Sequence, residues 1–243
     1  MAREYPLTFY NLDNNRPNDE MSREVEALLE ARPAILAVCE ANGYSLPDDP
    51  DYRLIRNTSK PGRANLAAYV KQNLEVSDIK WFDCEETWTK TNPGATGQHW
   101  PRSILEFRAG RLKVWVAHQP PKGTDNTHNA QLEGIDKLEA RMAPWCREDW
   151  DDKTDKEKAQ AKDQARVILW DANRRHDEDG PGPKTLCNRI DGYHSGEKID
   201  LACHRGNEVK QGKDARYFDS AGDVQLCSDH GHAFTFTLVC YDP

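Results

Sequence analysis

Short apolar runs recur along the chain, most of them four to eight residues long and bounded by Gly, Pro, Asn or Asp. They are LTFY (7–10), AILAVC (34–39), YRLIR (52–56), NLAAYV (65–70), SILEF (103–107), LKVWVA (112–117), VILW (167–170), KIDLAC (198–203) and HAFTFTLV (232–239). Their length, β-branched and aromatic content and turn-forming flanks predict β-strands. SILEF and LKVWVA flank RAGR, a hairpin with Gly110 supplying the turn. HAFTFTLV sets Phe234, Phe236 and Leu238 against threonines, the alternation of a half-buried strand. A second spacing separates these runs. Residues 19–32 put Val25, Leu28 and Leu29 on one helical face, with acids in the first turn and Pro33 as a stop. Residues 129–142 repeat that spacing with Leu132, Ile135, Leu138 and Met142, and the charge-rich stretch 149–166 predicts a solvated surface helix. KPGR (60–63) and GPGPK (180–184) predict loops.

No internal repeat or linker divides the chain, so residues 1–243 predict a single domain. Many strands with hairpin signals and few crossovers predict two β-sheets packed face to face with helices outside. With 41 acidic against 33 basic residues, the net charge of −8 gives no support to bulk-charge binding of polyanions. A bound cation supplies a local positive field all the same. Seven cysteines, none in a CxxC, predict buried free thiols in a reducing compartment. Cys187, Cys203, His204 and Cys227 match no zinc-site spacing. No signal-peptide pattern opens the chain and no apolar run reaches the roughly 20 residues of a membrane span, so the expectation is a soluble, cytoplasmic protein.

The ends of the apolar runs carry the chemistry. LTFY leads into Asn11-Leu12-Asp13, AILAVC into Glu40-Ala41-Asn42, LKVWVA into His118-Gln119-Pro120-Pro121, and VILW into Asp171-Ala172-Asn173. KIDLAC carries Asp200, and QLC leads into Ser228-Asp229-His230. One polar ending is an ordinary turn; a set of them predicts one sheet edge that gathers carboxylates, amides and histidines. Side chains two apart on a strand share a face, so Asn11 with Asp13, and Asp171 with Asn173, each present two oxygens in one direction. Oxygen donors without thiolates suit Mg²⁺, Mn²⁺ or Ca²⁺, and Mg²⁺ shares phosphate oxygens with substrates, so phosphoester hydrolysis is the chemistry implied.

Taken in order, NLD, CEAN, AHQPP, WDAN, IDLA and SDHGHAF resemble the motifs of the endonuclease/exonuclease/phosphatase (DNase I-like) superfamily, over residues 7 to about 238. That superfamily includes deoxyribonucleases, abasic-site endonucleases, inositol-polyphosphate phosphatases and sphingomyelinases. The resemblance implies a four-layered α/β sandwich with two mainly antiparallel sheets. It implies Glu40, with Asn11, Asp13 and Asp229, as the metal region, and Asp171 as the group that orients or deprotonates the attacking water. Asn173 would fix water and phosphate, His230 oriented by Asp200 would contact the scissile phosphate, and His118 would lie near the leaving group. Arg102 matches the family's structural or phosphate-contacting arginine. The usual Gly-Asp-Phe-Asn stands here as Trp170-Asp171-Ala172-Asn173, which keeps both polar groups. Arg174, Arg175 and His176 follow directly and are candidates for phosphate contact, with Lys122, Arg63 and Arg189 behind them. Trp88 and Trp100 are expected in the core, and His232 on the surface or in its strand. The implied activity is a Mg²⁺- or Mn²⁺-dependent phosphodiesterase acting on nucleic acid. A phosphatase acting on a phosphorylated small molecule or lipid head group, and a catalytically silent binding protein on the same scaffold, are the alternatives. Nothing in the sequence fixes an oligomeric state.

Overall fold

The computed structural model describes residues 2–13, 16–86, 88–92, 95–99, 102–121, 127–175, 177–190, 192–196, 198, 200–206, 209–228 and 230–241. Its strands are β1 (Ala2–Asn11), β2 (Ile35–Cys39), β3 (Tyr52–Arg56), β4 (Leu66–Lys71), β5 (Val76–Asp83), β6 (Trp88–Asn92), β7 (Ala95–His99) and β8 (Ser103–Ala109). They continue with β9 (Leu112–His118), β10 (Arg166–Asp171), β11 (Tyr193–Ser195), β12 (Asp200–Arg205), β13 (Val209–Phe218), β14 (Ser220–Ala221), β15 (Val224–Gln225) and β16 (Ala233–Tyr241). The helices are α1 (Asn18–Glu30), α2 (Pro61–Ala64), α3 (Thr127–Met142), α4 (Asp155–Asp163) and α5 (Pro183–Ile190).

Twelve strands form two six-stranded sheets, ordered β13-β16-β1-β2-β4-β3 and β11-β12-β10-β9-β8-β5. Alternation along each strand explains the layers. Leu7, Phe9, Phe234, Phe236 and Leu238 of the first sheet meet Leu105, Phe107, Val114, Val116, Val167 and Leu169 of the second in a shared core. Each such side chain taken fully out of water contributes roughly 1.5–3 kcal/mol. The outward residues of the first sheet, such as Tyr10, Leu36 and Val38, pack on Val25, Leu28 and Leu29 of α1. Those of the second, such as Trp115, Ile168 and Trp170, pack on Ile135 and Leu138 of α3 and Leu186 of α5. The result is a four-layered α/β sandwich.

Each sheet is antiparallel except for one pair: β1 with β2 in the first sheet and β9 with β10 in the second. That exception positions the polar strand endings. Parallel neighbours finish at the same edge, so Asn11 lies opposite Cys39, and Asp171 opposite His118. Antiparallel neighbours begin where these strands end, so Asp200 at the start of β12 lies opposite Asp171, and the segments before β4, β8 and β16 open onto the same rim.

Gly110 turns the β8–β9 hairpin at φ +57, as its position predicts. The surface helix expected over 149–166 is confined to α4, because Thr154 and Glu157 form a reciprocal capping box that starts it there. The two segments read as loops carry short helices: α2 spans Pro61–Ala64, and α5 opens at Pro183, whose missing N–H costs nothing in a first turn. The cysteines are free thiols, but Cys227 is exposed and Cys146 half-buried. Among the described residues no helix is long and apolar enough to cross a membrane.

Candidate active site

Asn11 and Asp171 close their strands in the same way. The backbone N–H of Asp13 donates to Asn11 Oδ1 at 2.9 Å, and that of Asn173 donates to Asp171 Oδ1 at 2.9 Å. These side-chain-to-backbone turns end β1 and β10 and put Asp13 and Asn173 in the left-handed region, at φ +54 and +49. The expectation that each pair extends along a strand therefore fails: the chain turns between the two residues. Glu40 also lies left-handed, at φ +58. For a residue with neither Gly's freedom nor Asn's local hydrogen bonding, this costs on the order of 1–2 kcal/mol, and such strain concentrates at functional sites.

The first turns leave the remaining side-chain atoms of Asn11 and Asp171 facing each other, both fully enclosed. Asn11 Nδ2 donates to Asp171 Oδ2 at 3.0 Å and lies 3.5 Å from His230 Nε2. His230 Nδ1 lies 2.8 Å from Asp200 Oδ2, a bond that places a proton on Nδ1 and leaves the Nε2 lone pair for the Asn11 amide. His118 Nδ1 lies 2.9 Å from Asn65 Oδ1, which orients its Nε2 towards Asp171 Oδ2 at 3.2 Å and Glu40 Oε1 at 3.7 Å. Asp171 is thus the common neighbour of Asn11, His118 and, at 4.0 Å, His230.

The electrostatics follow from enclosure. Burial, then the charge of Asp200, raises the Asp171 carboxyl to about 8. Burial, with Arg102 and His230 nearby, holds His118 well below its ordinary value, so its ring is neutral. A neutral imidazole with its proton on Nδ1 and a carboxylate oxygen, 3.2 Å apart, would set two lone pairs against each other. A proton or a cation has to lie between them. Burial also drives Cys39 well above its normal range, as do Asp171 and Glu40, so this thiol stays protonated and is packing rather than a thiolate donor. Burial lowers the Arg102 guanidinium, and Glu40 and Asp171 offset part of that effect.

Two sets of ligand-type atoms converge within 4.8 Å: those of Cys39, His118 and Asp171, and those of Asp171, Asp200 and His230. Asp200 Oδ1 is enclosed with no hydrogen-bond partner. The carboxylate oxygens of Glu40, Asp171 and Asp200 are the donor type of a hard divalent cation, and the unpartnered Asp200 Oδ1 fits one. Glu40 stands beside both sets rather than within them.

Anchors below the rim hold its loops. Glu24 of α1, 2% exposed, accepts from Tyr10 Oη at 2.5 Å, Arg16 Nη2 at 2.7 Å and the Cys227 N–H at 3.1 Å. Tyr44 Oη donates to the Asp13 carbonyl at 2.7 Å. Asn173 Nδ2 donates to the Gln119 carbonyl at 2.7 Å, joining the loops after β9 and β10.

Several sequence candidates are placed otherwise. Arg174 donates to Gln131 Oε1 at 3.1 Å and the Asp179 carbonyl at 2.8 Å, bonds that brace its own loop, while Arg175 is exposed. Arg63 is bound to Asp83 and Arg189 to Asp136 and Glu139. Asp229, Lys122, His176, Trp100 and the side chain of Trp88 lie outside the described residues. The rim also holds Asn65, which no motif marks, and His232, expected on the surface or in its strand. Asn65 opens the run 65–70, and only its contact with His118 singles it out. His232 lies not on the surface but beside the site, 7% exposed, with Nε2 3.4 Å from Asp200 Oδ2 and its ring edge-on to Tyr217. Its spacing of two from His230 was the available signal.

No protein-family model matches the sequence, and no curated protein matches it. Solved structures do match. An endonuclease/exonuclease/phosphatase family protein from Bacteroides thetaiotaomicron aligns over 99% of this chain and 96% of its own, with a TM-score of 0.61 at 13% identity. The endonuclease/exonuclease/phosphatase from Bacteroides vulgatus aligns over 98% and 100%, with a TM-score of 0.60 at 15% identity. The human Nocturnin catalytic domain, solved with a bound sulfate anion, aligns over 97% and 94%, with a TM-score of 0.60 at 10% identity. At these identities the likeness establishes the architecture: the chain has the endonuclease/exonuclease/phosphatase, or DNase I-like, fold.

Proposed function

We propose that the protein is a divalent-metal-dependent phosphoester hydrolase whose substrate is a phosphodiester in nucleic acid. The observation that carries this is the meeting of Asn11, Glu40, His118, Asp171, Asp200 and His230, drawn from both sheets, around one enclosed carboxylate. A Mg²⁺ or Mn²⁺ ion held by Glu40 with Asn11 and the neighbouring carboxylates supplies charge neutralisation at a phosphate oxygen when bound. Asp13 and Asp229 are the further acids expected in that region. Fold alone does not select a substrate. The fold's matches include proteins named for endonuclease, exonuclease and phosphatase activity, and the Nocturnin domain holds a tetrahedral oxyanion.

The roles follow from proton inventory. Asp171, its carboxyl raised to about 8, is the group to orient a water molecule and, in its ionised form, accept a proton from it. Asn173, tied to Gln119, lies next to it to position water and phosphate. His230, held by Asp200 through Nδ1, presents Nε2 to the pocket, where it takes up a proton and hydrogen-bonds a phosphate oxygen. His118, neutral and fixed by Asn65, faces the leaving side. Arg102 adds a fixed positive charge against the phosphate.

A substrate panel in Mg²⁺, Mn²⁺ and EDTA tests this, with single- and double-stranded DNA, RNA, abasic DNA, inositol phosphates and sphingomyelin. The proposal expects metal-dependent cleavage of a nucleic acid that both Glu40→Gln and His230→Ala abolish. Activity surviving both changes would refute the site. Turnover confined to small phosphoesters would move the substrate class, and no turnover on any substrate would favour a binding protein.

A further inference from the structure

The end of the second sheet opposite the rim carries a different polar feature. Arg108, Lys113, Arg166 and Arg205 are successive register partners across β8, β9, β10 and β12. Register partners project on the same face, and here it is the outer one, because the adjacent Phe107, Val114 and Val167 belong to the core between the sheets. Four cations therefore stand in a line, and Arg147, which follows the short 3-10 turn Pro144–Cys146, brings a fifth close to Arg166.

Like charges directly opposite one another destabilise a sheet, and a guanidinium cannot escape by losing its proton. Arg166 is 4% exposed and Arg205 9%. Arg108, Lys113 and Arg147 have carboxylates: Asp78, Glu106 and Asp149 respectively. Arg166, in the middle, has none within ion-pair distance among the described residues. Its Nη2 donates to the Ala161 carbonyl at 2.5 Å, and its Nη1 is enclosed with no hydrogen-bond partner. Gln164 does not resolve this. Its amide oxygen lies 3.4 Å from Arg166 Nη2, yet turning the amide over sets that oxygen against Arg108 instead, and one oxygen cannot fully serve both. Burial and the three neighbouring arginines hold Arg166 at about 10, a group still charged at neutral pH.

A cleft of about 530 Å³ opens beside the row at its Lys113 and Arg147 members, with Lys80 and Arg141 adding positive charge and Glu106, Glu148 and Asp149 negative. Nearby, the Arg205 guanidinium stacks over the Trp145 ring at 3.9 Å.

We propose that this row is an anion site, in which a compact tetrahedral oxyanion of the inorganic phosphate class binds against Arg166 with Arg147 and Arg205 around it. The planar guanidinium fork matches the oxygen spacing of phosphate. The site is separate from the catalytic rim: β10 runs from Arg166 to Asp171, about 16 Å of strand.

Thermal unfolding in inorganic phosphate against chloride at equal ionic strength tests this on four proteins: wild type, Arg166→Met, Arg147→Ala and His230→Ala. At phosphate a hundredfold above its Kd, wild type should gain about 5–10 °C in Tm. The gain should vanish in Arg166→Met, need at least tenfold more phosphate in Arg147→Ala, and persist in His230→Ala. Should Arg166→Met fail to fold, Arg147→Ala, altered at an exposed position, decides the matter. No phosphate-specific gain in wild type overturns the proposal. So does an undiminished gain in the arginine variants, and so does loss of the gain in His230→Ala, which would put the anion at the rim.

Discussion

Strand β10 begins at Arg166 and ends at Asp171, and the two ends solve one problem differently. Both side chains are buried, and both face groups of their own sign: Asp171 meets Asp200 and Glu40, while Arg166 meets Arg108, Arg147 and Arg205. A carboxyl can relieve that repulsion by keeping a proton, and Asp171 is pushed up to about 8 by burial and Asp200. An arginine has no such exit. The rim can thus give up and take back a proton near neutral pH, which suits acid-base work. The arginine end asks for a lasting counter-ion. His204, next to Arg205 in the chain, shows the contrast within one segment: burial drops it to about 4, so it sheds its proton where its neighbour cannot.

The largest effect should come from Asp171→Asn. It keeps the shape of the rim and removes the one carboxylate shared by Asn11, His118 and His230. Turnover should fall by about a thousandfold, roughly 4 kcal/mol of transition-state stabilisation, with KM far less affected. Steady-state kinetics on whichever substrate the panel identifies will check it, and a loss below tenfold would remove Asp171 from the proton path.

His204 gives a smaller effect on stability. Its folded pKa lies below the unfolded value near 6.5, so between these values the unfolded chain binds the proton that the folded one refuses. The stability contribution is complete above about pH 6.5 and is lost as pH falls to about 4, on the order of 3 kcal/mol in all. Denaturant titrations from pH 7 to 4 should show that slope in wild type and a flatter one in His204→Gln. Equal slopes would show that His204 takes up its proton in the folded state.

Much of this contrast was legible in the sequence, but only one end of it. The runs LTFY, AILAVC, LKVWVA and VILW announced their strands, and their shared polar endings announced an edge of carboxylates, amides and histidines. The parallel pairs β1–β2 and β9–β10 are what turn those endings into one rim, and pairing direction between distant segments leaves no local mark. The same limit hid β5, β11 and β13, whose side chains alternate too weakly to stand out, and α5, whose glycine- and proline-rich approach resembles a loop. Asn11-x-Asp13 and Asp171-x-Asn173 look like extended strand in sequence, although Asn and Asp commonly bond the backbone two residues on, as both do here. The arginine row was invisible for another reason: Arg108, Lys113, Arg166 and Arg205 are scattered singly and meet only through register.

The central claim is that the rim around Asp171 is built to hold a divalent cation. The most direct test is the melting temperature of wild type and Asp171→Asn, each in EDTA and in saturating Mn²⁺. Wild type should gain several degrees from the metal, following the mass-action stabilisation of a ligand that binds only the folded state, and Asp171→Asn should gain at most a small part of it. A wild type indifferent to the metal, or a variant that gains as much, would contradict the account.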